Sequence, residues 1–172
     1  RAEPIAPHAA DLPAGIAEAA GALRMEGIHH GSHRLPGLGG CLGDIGTHAF
    51  QLARFIAQQK LVAVSSDLTS FVDGRQVDDN VHAMLRFENG LKGMLWSSQV
   101  APGCENGLRI RIYGEKAGIE WAQENPNQMS FTRFGQPKQI ITRGGAGATA
   151  PVRVPAGHPE GYHEALANLY AD

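Results

Sequence analysis

No run of apolar residues in this chain approaches the roughly 18 that a membrane-spanning helix needs, and no signal-peptide pattern opens it. A basic excess is missing too. Fifteen Lys and Arg against 17 Asp and Glu give a net charge of −2 and a pI near 6.5, which argues against nucleic acid or an anionic membrane as the main partner. Two cysteines, Cys41 and Cys104, are too few for a disulfide scaffold, although one bridge between them stays open. There is no internal repeat. The expectation is a cytoplasmic protein.

At 172 residues the chain has the length of one domain and enough apolar residues, 42%, to bury a core. It opens without a methionine and stops while "EGYHEALANLYAD" still keeps a helical rhythm, so truncation at both ends is expected. Residues 1–32 read as an irregular segment of unclear origin, with "AGIAEAAGAL" suited to a short alanine-rich helix. From residue 44 to 58 the pattern is helical: Ile45, Ala49, Leu52, Ala53 and Ile56 gather on one face, and Asp44, Thr47, His48, Gln51 and Arg54 on the other.

Beyond Lys60 the period changes to two. Strands are expected over 61–72, 81–87, 91–100 and 108–114, and shorter ones over 118–122, 129–134 and 138–143. Asn89-Gly90 suits the positive φ angles of a tight hairpin. A second helix follows, with Pro159 in its first turn and Tyr162, Ala165, Leu166 and Leu169 as its apolar stripe. This is an α+β domain: a large, mostly antiparallel open sheet with helices on one face. Alternate strand residues such as Val62, Val64, Met84, Leu95 and Ile110 exceed what two helices cover, so the open face is expected to make a homo-oligomer, dimer or tetramer.

The block "GDIGTHAF" carries the chemistry. On an α-helix, Asp44 and His48 stand about 40° apart in azimuth and about 6 Å apart along the axis, so both reach one small ligand. A carboxylate that accepts a hydroxyl and an imidazole that exchanges a proton suit a polyol substrate. The competing reading makes Asp44 an N-cap and His48 an ordinary surface residue. The glycine run before it, Gly37 to Leu42, misses GxGxxG at its last position and lacks a preceding strand in this reading. His29, His30 and His33 lie close together but match no standard zinc spacing. Asp78-Asp79 reads as the solvent-side start of a strand, ahead of a cation site. Trp96 and Trp121 read as packing residues.

"GGCLGDIGTHAFQLARF", "VDDNVHAMLRFENGLKGMLWSSQVAPG", "LRIRIYGEKAGIEWAQENPNQMSF" and "GHPEGYHEALANLYAD" together resemble the C-terminal domain of the Gfo/Idh/MocA oxidoreductases, the glucose–fructose oxidoreductase and inositol dehydrogenase relatives. The resemblance covers roughly residues 33–172. It implies the dihydrodipicolinate-reductase-like C-terminal fold without the Rossmann domain. That substrate-binding and oligomerisation half serves an NAD(P)-dependent enzyme acting on a sugar, cyclitol or related polyol. By resemblance His48 and Asp44 are catalytic: Asp44 holds a substrate hydroxyl while His48 exchanges the proton. NAD or NADP belongs to the intact enzyme, and none is expected on this chain, which alone is expected to be inactive. Arg34 stands where many members carry an arginine, but here in "HRLPGLGG" with no acid before Pro36. A substrate contact by Arg34 and a solvated arginine stand as equal readings. The same holds for His158, which opens "GHPEGY". Two other classes stay open, a non-catalytic ligand-binding and oligomerisation module and a metal-dependent hydrolase.

Overall fold

The structure, a computed structural model, describes residues 22–28, 39–146, 152–159 and 161–171. Eight strands form one sheet: β1 (Ala22–Ile28), β2 (Leu61–Thr69), β3 (Asn80–Phe87), β4 (Lys92–Ser98), β5 (Arg109–Tyr113), β6 (Ala117–Ala122), β7 (Gln128–Arg133) and β8 (Gln139–Thr142). A π-helical turn, Leu42–Gly46, runs into helix α1 (Thr47–Ala57), and α2 (Tyr162–Leu169) comes last. The spatial order is β2-β3-β4-β1-β5-β6-β7-β8. Neighbours pair antiparallel except β1 with β4, which are parallel.

β1 corrects the reading of residues 1–32 as irregular. Ala22–Ile28 is the strand that joins β4 to β5. Its pattern is one of strict alternation: Met25 and Gly27 are buried and Glu26 between them is half-buried. The alanine-rich run ahead of it hid that alternation, and its other residues lie outside the described residues.

Met25 pairs with Leu95 on one side and Ile110 on the other, and this row lies under α1. Leu95 and Ile110 are therefore core, 4% and 1% exposed, not part of an uncovered face as expected. Ile112, Ile119, Phe131, Leu85 and Phe87 extend the same layer. Each such side chain contributes roughly 1.5–3 kcal/mol by leaving water. Val62, Val64 and Met84 remain exposed, as expected. Met84 and Met94 face each other across β3 and β4, on the side away from α1. Val64 and Leu68 lie on the α1 side but beyond its reach, on the edge strand β2.

α1 buries the expected face, with Ala49 and Ala53 fully shielded. Their small side chains let the helix lie close, and β1 meets it with a glycine. A Cβ on Gly27 would stand 3.2 Å from the Ile45 carbonyl oxygen, already tight contact. The helix stops at Gln58, whose φ of 52° is left-handed and whose N–H donates to the Arg54 carbonyl at 3.0 Å. Asn89 and Gly90 take φ angles of 61° and 84° in the β3–β4 turn, as the Asn-Gly pair requires.

α2 departs from expectation. Gly161 has a φ of 80°, incompatible with a right-handed helix, so the helix begins at Tyr162 and Pro159 lies outside it. No residue of α2 is buried, and Leu169 is 73% exposed. α1 is the helix that packs on the sheet, against β1 and β5. Both cysteines are free, which removes the possible bridge.

Candidate active site at the start of helix α1

The chain enters the helix through Gly39 and Gly40. The four leading N–H groups of any helix need outside acceptors, and here Asp78 supplies two. Its backbone carbonyl accepts from Cys41 N–H and its Oδ2 from Leu42 N–H, each at 2.8 Å. Gly40 makes room for this, because a Cβ there would overlap the Asp78 carboxylate. Asp78 thus caps the helix, and Asp44 does not: no side-chain cap bond is made from within this segment.

Cys41 and Ser97 lock the helix start to β4. The Cys41 thiol donates to the Ser97 carbonyl at 3.4 Å, and the Ser97 hydroxyl donates to the Cys41 carbonyl at 3.1 Å. Burial, with the neighbouring Asp78 hydrogen bond adding to it, pushes the Cys41 thiol up to about 12. It is a neutral packing group and not a nucleophile.

Asp44 sits in the π turn, not in a continuous α-helix as its spacing to His48 suggested. The wider turn leaves carbonyls without their usual partners, and the Thr47 hydroxyl donates to two of them, Gly43 and Asp44, at 3.1 Å. Buried Gly46 allows the turn to pass Leu42 and Ser97, whose atoms lie 3.0 Å and 3.5 Å from where a Cβ would be. Such turns recur at functional sites. His48 follows in the first turn of α1, on its exposed side with Thr47, Gln51 and Arg54.

The Asp44 carboxylate takes part in a chain of polar groups that the sequence did not reveal. Gln99, 3% exposed, donates from Nε2 to Asp44 Oδ2 at 3.0 Å. Its Oε1 accepts from Arg75 Nη2 at 2.5 Å, and its backbone N–H donates to the Asp79 carbonyl at 2.8 Å. Arg75 lies 3.8 Å from the carboxylate of Asp79. Asp79 is fully buried, contrary to the solvent-side reading, and its carboxylate accepts from the Phe71 and Val72 N–H groups at 2.9 Å and 3.0 Å. A buried carboxylate is tolerable when so completely paired. One signal was available: Ser97, Ser98 and Gln99 put three polar residues in a row at the end of an apolar strand, and all three are buried.

The other expected site residues do not join this group. Arg34 lies outside the described residues, as do His29, His30 and His33. His158 sits by a separate cavity of 450 Å³ with Asn127, Gln128, Thr142 and Arg143. Its ring packs on Tyr162 at 4.2 Å between centroids, and its carbonyl accepts from Arg143 at 2.6 Å. That cavity is at the start of β7, four strands from β4 in the sheet, about 19 Å at the usual strand spacing. Among the described residues no cluster of His, Cys, Asp or Glu has the makings of a metal site.

The glycine run proves to follow a strand after all, β1. It still does not make a dinucleotide cradle. The position a pyrophosphate would take at the helix N-terminus is filled by the Asp78 carboxylate, and like charge would repel the phosphate. The start of α1 thus offers no seat for a dinucleotide's phosphates.

The described residues thus form an eight-stranded mixed sheet with helix α1 packed on it. Residues 19–120 match the family model described as GFO/IDH/MocA C-terminal domain, and the chain belongs to that family. A curated relative, the uncharacterized oxidoreductase YfiI of Bacillus subtilis (strain 168), is 38% identical over 135 residues, which is 75% of this chain and 34% of the relative. An oxidoreductase structure from Sinorhizobium meliloti superposes with a TM-score of 0.75 at 48% identity, covering 91% of this chain and 46% of that one. An inositol dehydrogenase homolog from Azotobacter vinelandii, complexed with NADH and myo-inositol, does so with a TM-score of 0.73 at 34% identity, covering 90% and 44%. This chain therefore spans less than half the length of these relatives. Among the described residues, no helix is long and apolar enough to cross a membrane.

Proposed function

We propose that this chain is the substrate-side half of a cytoplasmic NAD(P)-dependent oxidoreductase acting on a sugar, cyclitol or related polyol. The observation that carries the reading is that Asp44 is released from capping by Asp78 and held instead by Gln99. A carboxylate kept at a helix start and not used as its cap is suited to accept a substrate hydroxyl. His48, one turn on and open to solvent, takes the proton from the hydroxyl being oxidised. The nicotinamide, when bound by the remainder of such an enzyme, accepts the hydride. Its dinucleotide is held outside these residues, in agreement with the filled helix N-terminus. Arg34 stays a substrate contact in this reading, whereas His158, beside its separate cavity, has no part in it.

In the intact enzyme, His48→Ala lowers turnover by roughly 10²–10⁴-fold, the usual worth of a positioned acid/base, measured as NADH formation with myo-inositol and a panel of polyols. A near-unchanged rate rejects His48 as the proton carrier. The 172-residue chain alone, titrated with NADH, shows no tight binding; nanomolar affinity contradicts the division of labour.

A second reading, as a ligand-binding and oligomerisation module without turnover, is favoured by the apolar open face. Met84 and Met94 are 60% and 48% exposed there. Both readings expect a dimer or tetramer through that face, which light scattering tests; only the first expects turnover when the other half is present.

A further inference from the structure

Gln99 occupies an unusual position for a neutral side chain. It is buried just past the end of β4, with a guanidinium on one side and a carboxylate on the other. An amide has one accepting end and one donating end. Arg75 only donates and the ionised Asp44 carboxylate only accepts, so a single orientation of the amide satisfies both. The reverse would set NH₂ against the guanidinium and the carbonyl against the carboxylate. Arg75 in turn cannot swing away, because Asp79 draws it from behind and is itself held by the Phe71 and Val72 N–H groups. From a buried anion the order runs cation, amide dipole, anion, ending at Asp44.

Anchoring the helix to the sheet does not require this arrangement. The reciprocal Cys41–Ser97 hydrogen bonds and the two Asp78 contacts already do that. What the Gln99 amide adds is direction: fixing one carboxylate oxygen sets where the other points.

We propose that Gln99 and Arg75 are positioning residues that hold the Asp44 carboxylate in one rotamer for substrate. The proposal rests on the role assigned to Asp44 above only for its catalytic consequence. The test uses NMR on the 172-residue chain, reading the Asp44 χ1 rotamer from three-bond couplings. The wild-type chain gives couplings of a single rotamer. Gln99→Met, similar in shape but without a donor, gives averaged values. Gln99→Glu also averages them, because it keeps the acceptor for Arg75 while facing Asp44 with an oxygen. Backbone shifts across α1 stay in place in both variants. Averaged couplings in the wild type, or a single rotamer kept in both variants, overturn the proposal.

In the complete oxidoreductase, assayed with NAD and myo-inositol, Gln99→Glu lowers kcat/KM about tenfold, the scale of a modest misplacement. It lowers it no further on top of Asp44→Asn, since its effect passes through that carboxylate. Rotamer averaging with kcat/KM unchanged supports the positioning and rejects the substrate role of Asp44. Equal losses with and without the Asp44 carboxylate overturn action through Asp44. The two failures are thus separable.

Discussion

Ala49 and Ala53 on α1 are wholly shielded from solvent, whereas α2 carries Tyr162, Leu166 and Leu169 at equally good helical spacing and buries none of them. The difference lies in what each helix meets. α1 runs over Gly27, where the sheet offers no side chain to hold it off, and its first N–H groups are taken by Asp78. α2 begins after a left-handed glycine, with His158 packed on Tyr162. An apolar stripe states which face of a helix wants cover; it says nothing about whether a surface of the right shape is within reach. The buried polar groups follow the same division. Asp79, Ser97 and Gln99 gather at the α1 end of β3 and β4, while the ion pairs of the far strands, such as Arg111 with Glu120 at 2.9 Å, remain partly open to water.

Substitutions break or sharpen this contrast, the largest expected effect first. Asp79→Ala removes the anion beside Arg75 and the acceptor of two backbone N–H groups and costs about 3–5 kcal/mol in urea unfolding; a loss under about 1 kcal/mol, by the same yardstick, removes the claim that this corner is tightly built. Gly40→Ala drives a methyl into the Asp78 carboxylate and costs about 1–3 kcal/mol. Cys41 carries a pH signature. Its thiol ionises near 12 in the fold against 9.0 when free, so its contribution is fully present below the lower value and is lost as pH rises between the two. The slope approaches about 1.4 kcal/mol per pH unit, and Cys41→Ala flattens the stability curve over that window only. Leu169→Ala, on the uncovered helix, stays within about 0.5 kcal/mol. A larger loss there means that α2 has cover in solution.

Strands β3 and β5 were legible because buried and exposed positions alternate along them, and Asn89-Gly90 marked its turn by backbone chemistry alone. β1 was not, although Arg24 and Glu26 alternate with Leu23 and Met25, because the alanine-rich run that precedes it masks the change of period. At the site, Asp44 and His48 could be read from their local spacing. Gln99 and Arg75 could not: Gln99 meets Asp44 across 55 positions and Arg75 across 24, and no local pattern encodes a contact at that range. Asp78 and Asp79 were visible as a pair, but their opposite fates, one capping a helix and one buried under a loop, depend on where the glycine run passes.

The place of β1 has a consequence for assembly of the domain. β2-β3-β4 and β5-β6-β7-β8 are each simple meanders of successive strands, and Ala22–Ile28 joins them into one sheet. β1, which precedes β2 to β8 in the chain, thus acts as a keystone laid before its arch. It waits with both edges unpaired until β4 and β5 have formed, some 70 residues or more later by strand position. Long-range pairing of this kind slows folding, and without β1 the two meanders would share no strand, leaving α1, which rests on β5 while its entry turn rests on β4, as their link.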